Sequence, residues 1–138
     1  MTKTYFFPTI LVISIFALYV FLQFHKENNA ILGSTTVSYT LNNKHLNLLV
    51  ADTQEKWMSG LMDKRRLDEA DGMIFIFPDS QPRSFWNKNT YVDLDIYWLD
   101  DDKVVGKSFL PSVEKTKDIV TVSSPTPVDK VVELVRKK

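Results

Sequence analysis

The first strong feature of the chain is an unbroken apolar stretch. From Tyr5 to Phe24 it reads YFFPTILVISIFALYVFLQF, twenty residues without a formal charge. As a helix this run is apolar on every face and spans about 30 Å, the thickness of one hydrocarbon core. Pro8 lies in the first turn, where a missing N–H is tolerated, and Ser14 can bond back to the turn before it. The run is longer than the apolar core of a usual secretion signal, and no small-x-small cleavage site follows promptly after Phe24. Residues 1–24 are therefore expected to be a retained, single transmembrane helix rather than a cleaved leader. Lys3 on one side, against Lys26 with Glu27 on the other, biases the N-terminus toward the cytoplasm. The soluble part is then expected on the extracytoplasmic side of a single-pass membrane protein.

Residues 25–34, polar from His25 to Asn29 and ending in Gly33-Ser34, read as a short tether. After it the period changes to two. Val37, Tyr39 and Leu41 share one face, the turn-prone Asn42-Asn43 follows, and Leu46 to Ala51 makes a second run, so a β-hairpin is predicted. Asp52 with Glu55 suits a helix N-terminus, and Trp57, Met58, Leu61 and Met62 follow at helical spacing, which predicts one short helix with Trp57 turned to the core. Asp63 to Asp71 is a charged loop. Met73 to Phe77 is apolar on both faces and predicted to be a doubly covered strand ending at Pro78. Leu94–Leu99 and Val104–Phe109 flank the acidic turn Asp100-Asp101-Asp102 as a second hairpin, and Ile119–Val122 and Lys130–Val135 supply two more β-branched runs. Residues 35–138 are thus expected to form one soluble, mainly β domain, a sandwich or barrel of antiparallel sheets with a single short helix.

Composition narrows the function. From Ala30 onward there are 15 Lys and Arg against 16 Asp and Glu, so nothing favours a phosphate backbone and nucleic acid is not an expected partner. Cysteine is absent, which removes disulfides, thiolate metal sites and a cysteine nucleophile. His45 is the only histidine after the tether, so a transition-metal site is not expected. The triple-aspartate turn lacks the spaced ligands of a calcium loop. Neither a glycine-rich phosphate loop nor Gly-x-Ser-x-Gly occurs, and no cofactor is expected.

Four blocks occur in order: Val50-Ala51-Asp52-Thr53 with Gly60-Leu61-Met62; Gly72 to Pro78; Phe85-Trp86-Asn87-Lys88-Asn89-Thr90 with Leu94-Asp95-Ile96; and Ser124-Pro125 leading to Val132-Glu133-Leu134. In these the chain resembles the domain of unknown function 192 family. The resemblance implies a secreted or membrane-anchored single domain with a mainly β fold and leaves the activity open. Ser59, Asn87 and Asp93 stand where relatives usually have Arg, Met and Pro, and relatives usually continue through a glycine-containing last segment beyond residue 138.

The candidate chemistry lies in one segment. Arg83, Lys88, Asn89 and Thr90 crowd a non-helical stretch beside Phe85 and Trp86, where Arg and Lys suit a carboxylate or phosphate and Trp86 suits a sugar face. The competing structural reading has the aromatics plugging the core and Lys88 and Asn89 satisfying loop backbone. Asp95 interrupts an apolar strand on the face shared by Asp93, Tyr97 and Leu99, and if buried it needs a cation, for which Arg83 or Lys88 is the expected partner. Three readings remain open. The first is a binding module for an envelope glycan, a small polar ligand or a neighbouring protein through Arg83, Trp86, Lys88, Asn89, Thr90 and Asp95. The second is a hydrolase or transferase acting on envelope saccharides with Asp95 as acid or base. The third is an architectural subunit.

Overall fold

The structure is a computed structural model that describes residues 35–137, with Tyr19 alone from the preceding segment. The expected membrane helix and tether lie outside the described residues. Strands β1 (Thr36–Leu41) and β2 (Lys44–Ala51) form the predicted hairpin. Asn42 and Asn43 both take left-handed φ, 51° and 62°, as a two-residue hairpin turn requires. The short helix α1 (Gln54–Ser59) and a charged loop lead to β3 (Gly72–Gln81), which is followed by β4 (Ser84–Trp86). Strands β5 (Leu94–Asp100) and β6 (Lys103–Leu110) make the second hairpin around Asp101 and Asp102, again left-handed at 49° and 61°. A 3-10 turn at Val113–Lys115 precedes β7 (Thr121–Ser123) and β8 (Val128–Val135).

The fold is mainly β, with one large mixed sheet ordered β1-β2-β3-β8-β5-β6 and a two-stranded sheet, β4-β7. The expectation of purely antiparallel sheets fails at one pair. β2 and β3 run parallel, with Leu48 opposite Gly72 and Ala51 opposite Phe75. A parallel pair needs a crossover rather than a tight turn, and α1 with its following loop supplies it. The helix also begins one residue later than expected. Thr53 is its N-cap, accepting from the Lys56 N–H at 3.4 Å, while Asp52 pairs with the Lys56 ammonium at 2.7 Å. None of its residues is fully buried, and Met58 is 70% exposed. The buried side chain of this segment is Leu61, just beyond the helix, while Trp57, expected to turn to the core, packs against it only partly buried.

β3 passes through Pro78 instead of stopping there. Its ladder to β2 ends at Phe75 and its register to β8 is irregular between Ile76 and Gln81, so no regular ladder bond is demanded of the proline. The double coverage of this strand is real. Met73 and Phe75 belong to a larger core with Leu94, Ile96, Trp98 and Val131, whereas Ile74 belongs to a smaller one with Leu41, Leu48, Leu99 and Val132 on the other face. On the smaller-core side the Tyr39 hydroxyl of β1 donates to Asp102 in the β5–β6 turn at 3.0 Å, so the outer strands of the sheet approach each other there. On the larger-core side lies the two-stranded sheet. Phe85 of β4 meets Phe75 and Trp98 edge-on, at ring separations of 4.8 and 5.7 Å.

Candidate functional site

Between α1 and β4, over the larger core, the domain leaves a cleft of ≈ 380 Å³. Its walls are aromatic and thioether-rich, formed by Trp57, Met58, Met62, Phe77, Phe85 and Trp86 around Phe75. Trp57 is fixed in place, its indole N–H lying 3.0 Å from the Ala51 carbonyl and 3.1 Å from that of Ile76, with its ring 5.1 Å from that of Phe77. Trp86 is half exposed at the mouth, so the site combines a rigid inner wall with an open aromatic rim.

Glu133 stands at the floor. It sits on β8 opposite Met73 of β3 and Ile96 of β5, and alternation along the strand turns it to the same face as those two apolar residues. It is 4% exposed, and its Oε2 has no hydrogen-bond partner. Burial alone pushes its carboxyl up to about 8 from an ordinary 4.5, so at neutral pH it holds its proton. Gly60, which closes α1 at φ +47°, leaves the approach open, because a Cβ there would stand 3.3 Å from the Phe75 ring and 4.0 Å from Glu133 Oε2.

Arg83 lines the same cleft. Its Nη2 donates to the Asp79 carboxylate at 2.7 Å and to the Asp79 carbonyl at 3.1 Å, and the guanidinium lies 4.0 Å above the Phe77 ring. Its Nε is buried and unpaired. Among the described residues, Arg83 Nε and Glu133 Oε2 are the buried side-chain polar atoms without a partner, and both residues line this one cleft. Buried polar atoms are ordinarily satisfied, so a cleft that concentrates the exceptions is a candidate ligand site.

The residues singled out in the sequence divide. Arg83, Trp86 and Thr90 line the cleft. Lys88 instead rides on Trp86, its ammonium 5.4 Å from the ring centroid. Asn89 takes a left-handed turn, φ 52°, with its carbonyl accepting from the Asp63 N–H at 2.8 Å. Asp95 belongs elsewhere. It faces the smaller core with Tyr97 and Leu99, as expected from period two, but its partners are Arg136 at 2.9 Å and Lys107 at 3.2 Å rather than Arg83 or Lys88. The sheet separates it from the cleft, since its cross-strand neighbours are Leu134 and Phe109 whereas Ile96 faces Glu133.

Three positions beyond these carry weight. Asn87 is fully buried and ties three segments together: its Nδ2 donates to the Pro111 carbonyl and Thr116 Oγ1 at 3.1 and 3.0 Å, and its Oδ1 accepts from the Val120 N–H at 2.8 Å. Glu133 had a detectable signal, an acid between apolar residues of a strand whose neighbours are all core, and Trp57 is a cleft wall as well as a core contact. A second depression, lined by Arg65, Arg66, Lys115, Arg136 and Lys137, is self-neutralised, because these cations pair with Glu114, Asp68, Asp93, Asp95 and Asp71. Among the described residues no group of three or more His, Asp or Glu side chains is gathered as a metal would need.

Fold and cleft together define a small mixed-sheet β domain with a ligand-sized, aromatic-walled hollow on one face. The chain belongs to the domain of unknown function 192 family, whose profile, described as an uncharacterized ACR, matches residues 37–137. Among solved structures it is similar to a Sinorhizobium meliloti 1021 protein described as a candidate transcription regulator, with 28% identity, a TM-score of 0.55, and coverage of 72% of this chain and 78% of that one. It is also similar in fold to a Novosphingobium aromaticivorans DSM 12444 protein of unknown function, at 21% identity and TM-score 0.54, over 77% of this chain and 84% of that one. No curated protein matches the chain.

Proposed function

We propose that this protein is a binding module that takes a small polar ligand into the α1–β4 cleft. In this reading residues 1–24 hold the domain at the extracytoplasmic face of a membrane, where a ligand of the envelope or its surroundings reaches it. The observation that carries the reading is the coincidence of two unpaired buried polar atoms, on Arg83 and Glu133, with one aromatic-walled cleft. Trp57, Phe77 and Trp86 hold the apolar or ring-shaped body of the ligand, while Glu133 and the Arg83 Nε–H meet its polar groups.

A test uses the intrinsic tryptophan fluorescence of the full chain with N-acetylglucosamine and benzyl alcohol as probes. Binding that is weakened severalfold in Trp86→Ala but kept in Asp95→Asn supports the reading. Probes that leave the signal unchanged, or that bind both variants equally, refute it.

One observation favours a second reading, saccharide hydrolysis: Glu133 keeps its proton at neutral pH, as a general acid must. Against it, among the described residues Arg83 and Glu133 are the ionisable side chains that line the cleft, and no second carboxylate stands beside Glu133 there as nucleophile or base. Asp95, the acid expected from the sequence, faces the other side of the sheet in two ion pairs. Binding is therefore the better-supported function.

A further inference from the structure

The charge balance of the cleft bears on what enters it, given that the cleft is a small-molecule site. The positive charge of Arg83 is already met, because its guanidinium sits on the Asp79 carboxylate at 2.7 Å and over the Phe77 ring at 4.0 Å. Glu133 has no such partner. Its Oε2 is buried and unbonded, Met73 and Ile96 are its cross-strand neighbours, and Phe75 and the bare Gly60 stand beside it. Among the described residues Arg83 is the one charged group across the cleft from it, and burial is the only cause of the carboxyl's raised proton affinity.

A carboxyl set in an apolar wall is best completed by a donor that also brings positive charge. The face of Trp57 attracts cations for the same electrostatic reason, through its ring quadrupole, while Phe77 already carries Arg83 and Trp86 already carries Lys88. An anion would meet Glu133 head-on and compete with Asp79 for Arg83. A neutral hydroxyl would satisfy one oxygen and bring no charge to the buried acid.

We propose that the cleft takes an organic monocation, a primary or secondary ammonium whose N–H donates to the Glu133 carboxylate while its apolar or ring-shaped body lies against Trp57, Phe77 and Trp86. The proton balance follows directly. The incoming ammonium stays protonated, Glu133 passes from carboxylic acid to carboxylate, and one proton leaves to the solvent. Because Glu133 holds its proton up to about pH 8, affinity rises by about tenfold per pH unit from about pH 6 to about pH 7.5. It levels near pH 8 and falls once the amine itself deprotonates.

The test compares three probes of one shape on the full chain: benzylamine, benzyl alcohol and benzoate, read by tryptophan fluorescence and by calorimetry in buffers of different ionisation enthalpy. Benzylamine is expected to bind at least about tenfold more tightly than either of the others near pH 8. At about pH 7 it is expected to release close to one proton per ligand. Glu133→Gln is expected to bring the amine down to the level of the alcohol without weakening the alcohol. If the alcohol or benzoate equals the amine, the cation assignment falls while the small-molecule cleft stands. If none of the three binds, both fall. Should Glu133→Gln fail to fold, the proton count on the parent decides, and a count of zero overturns the assignment.

Discussion

Replacing Glu133 by Gln isolates the energetic cost of keeping an acid at the floor of the cleft. The folded carboxyl is raised from 4.5 to about 8 by burial, so between those values the unfolded chain binds fewer protons than the native one. Stability then falls as pH rises: the contribution is fully present below about pH 4.5, declines through neutrality and is gone above about pH 8. The gap between 4.5 and about 8 corresponds to about 5 kcal/mol, an upper figure because local opening hydrates the carboxylate before the whole domain unfolds. Gln keeps the size and hydrogen-bonding capacity but cannot ionise. Urea unfolding of the full chain and of Glu133→Gln at a series of pH values between about 5 and 8 is expected to show the parent losing most of this amount while the variant stays level. Carboxyls such as Asp71, held below its usual range first by the Asn47 N–H, act alike in both proteins and lose their contribution only as pH falls. The difference curve therefore reports Glu133. Stability curves that run parallel across this range would show that the carboxyl is hydrated in the folded state, and the argument for the cleft would lose its floor.

Asn87→Ala removes three side-chain hydrogen bonds and strands the Val120 N–H and Pro111 carbonyl, so a loss of about 2–4 kcal/mol in urea unfolding is expected. Gly72→Ala has no room at all, since a Cβ would lie 1.8 Å from the Glu133 backbone carbonyl oxygen; a chain that accumulates in insoluble form on expression is the expected result, and a soluble variant with the parent's melting temperature would contradict the packing. Trp86→Ala, at a half-exposed rim position, is expected to change stability by less than about 1 kcal/mol while weakening benzylamine binding severalfold. Asp95→Asn breaks ion pairs to Arg136 and Lys107 on the other face; about 1 kcal/mol of stability is expected to go, with probe affinity at the cleft unchanged.

Local signals carried most of the architecture. Asn42-Asn43 and Asp101-Asp102 announce their hairpins because left-handed backbone suits Asn and Asp far better than most residues, and the apolar continuity of Met73 to Phe75 announces a strand covered twice. The parallel pairing of β2 with β3 was not legible, since neither strand's own alternation distinguishes a crossover partner from a hairpin partner. Nor was the separation of Asp95 from Arg83. Period two placed Asp95 on the correct face of its strand, but which cation waits there depends on Arg136 and Lys107, supplied by two neighbouring strands' ends and edges. Glu133 is hard to single out from sequence, because a lone acid in a β-branched run reads equally well as the solvent side of an edge strand. Its true setting is β8, a central strand, where both faces are covered.

The place of β8 in the sheet has a consequence for how the polypeptide acquires its shape. Residues 128–135 lie between β3 and β5, so until they emerge the earlier part can assemble only three separate ladders, β1-β2-β3, β4-β7 and β5-β6, with β3 and β5 each left with a bare edge. Joining them is the last topological event available to a chain made from its N-terminus, and it also delivers Glu133 to the cleft. A nascent chain halted before residue 128 would carry neither a continuous sheet nor the floor of the cleft, so half-made copies expose bare strand edges to proteolysis and aggregation.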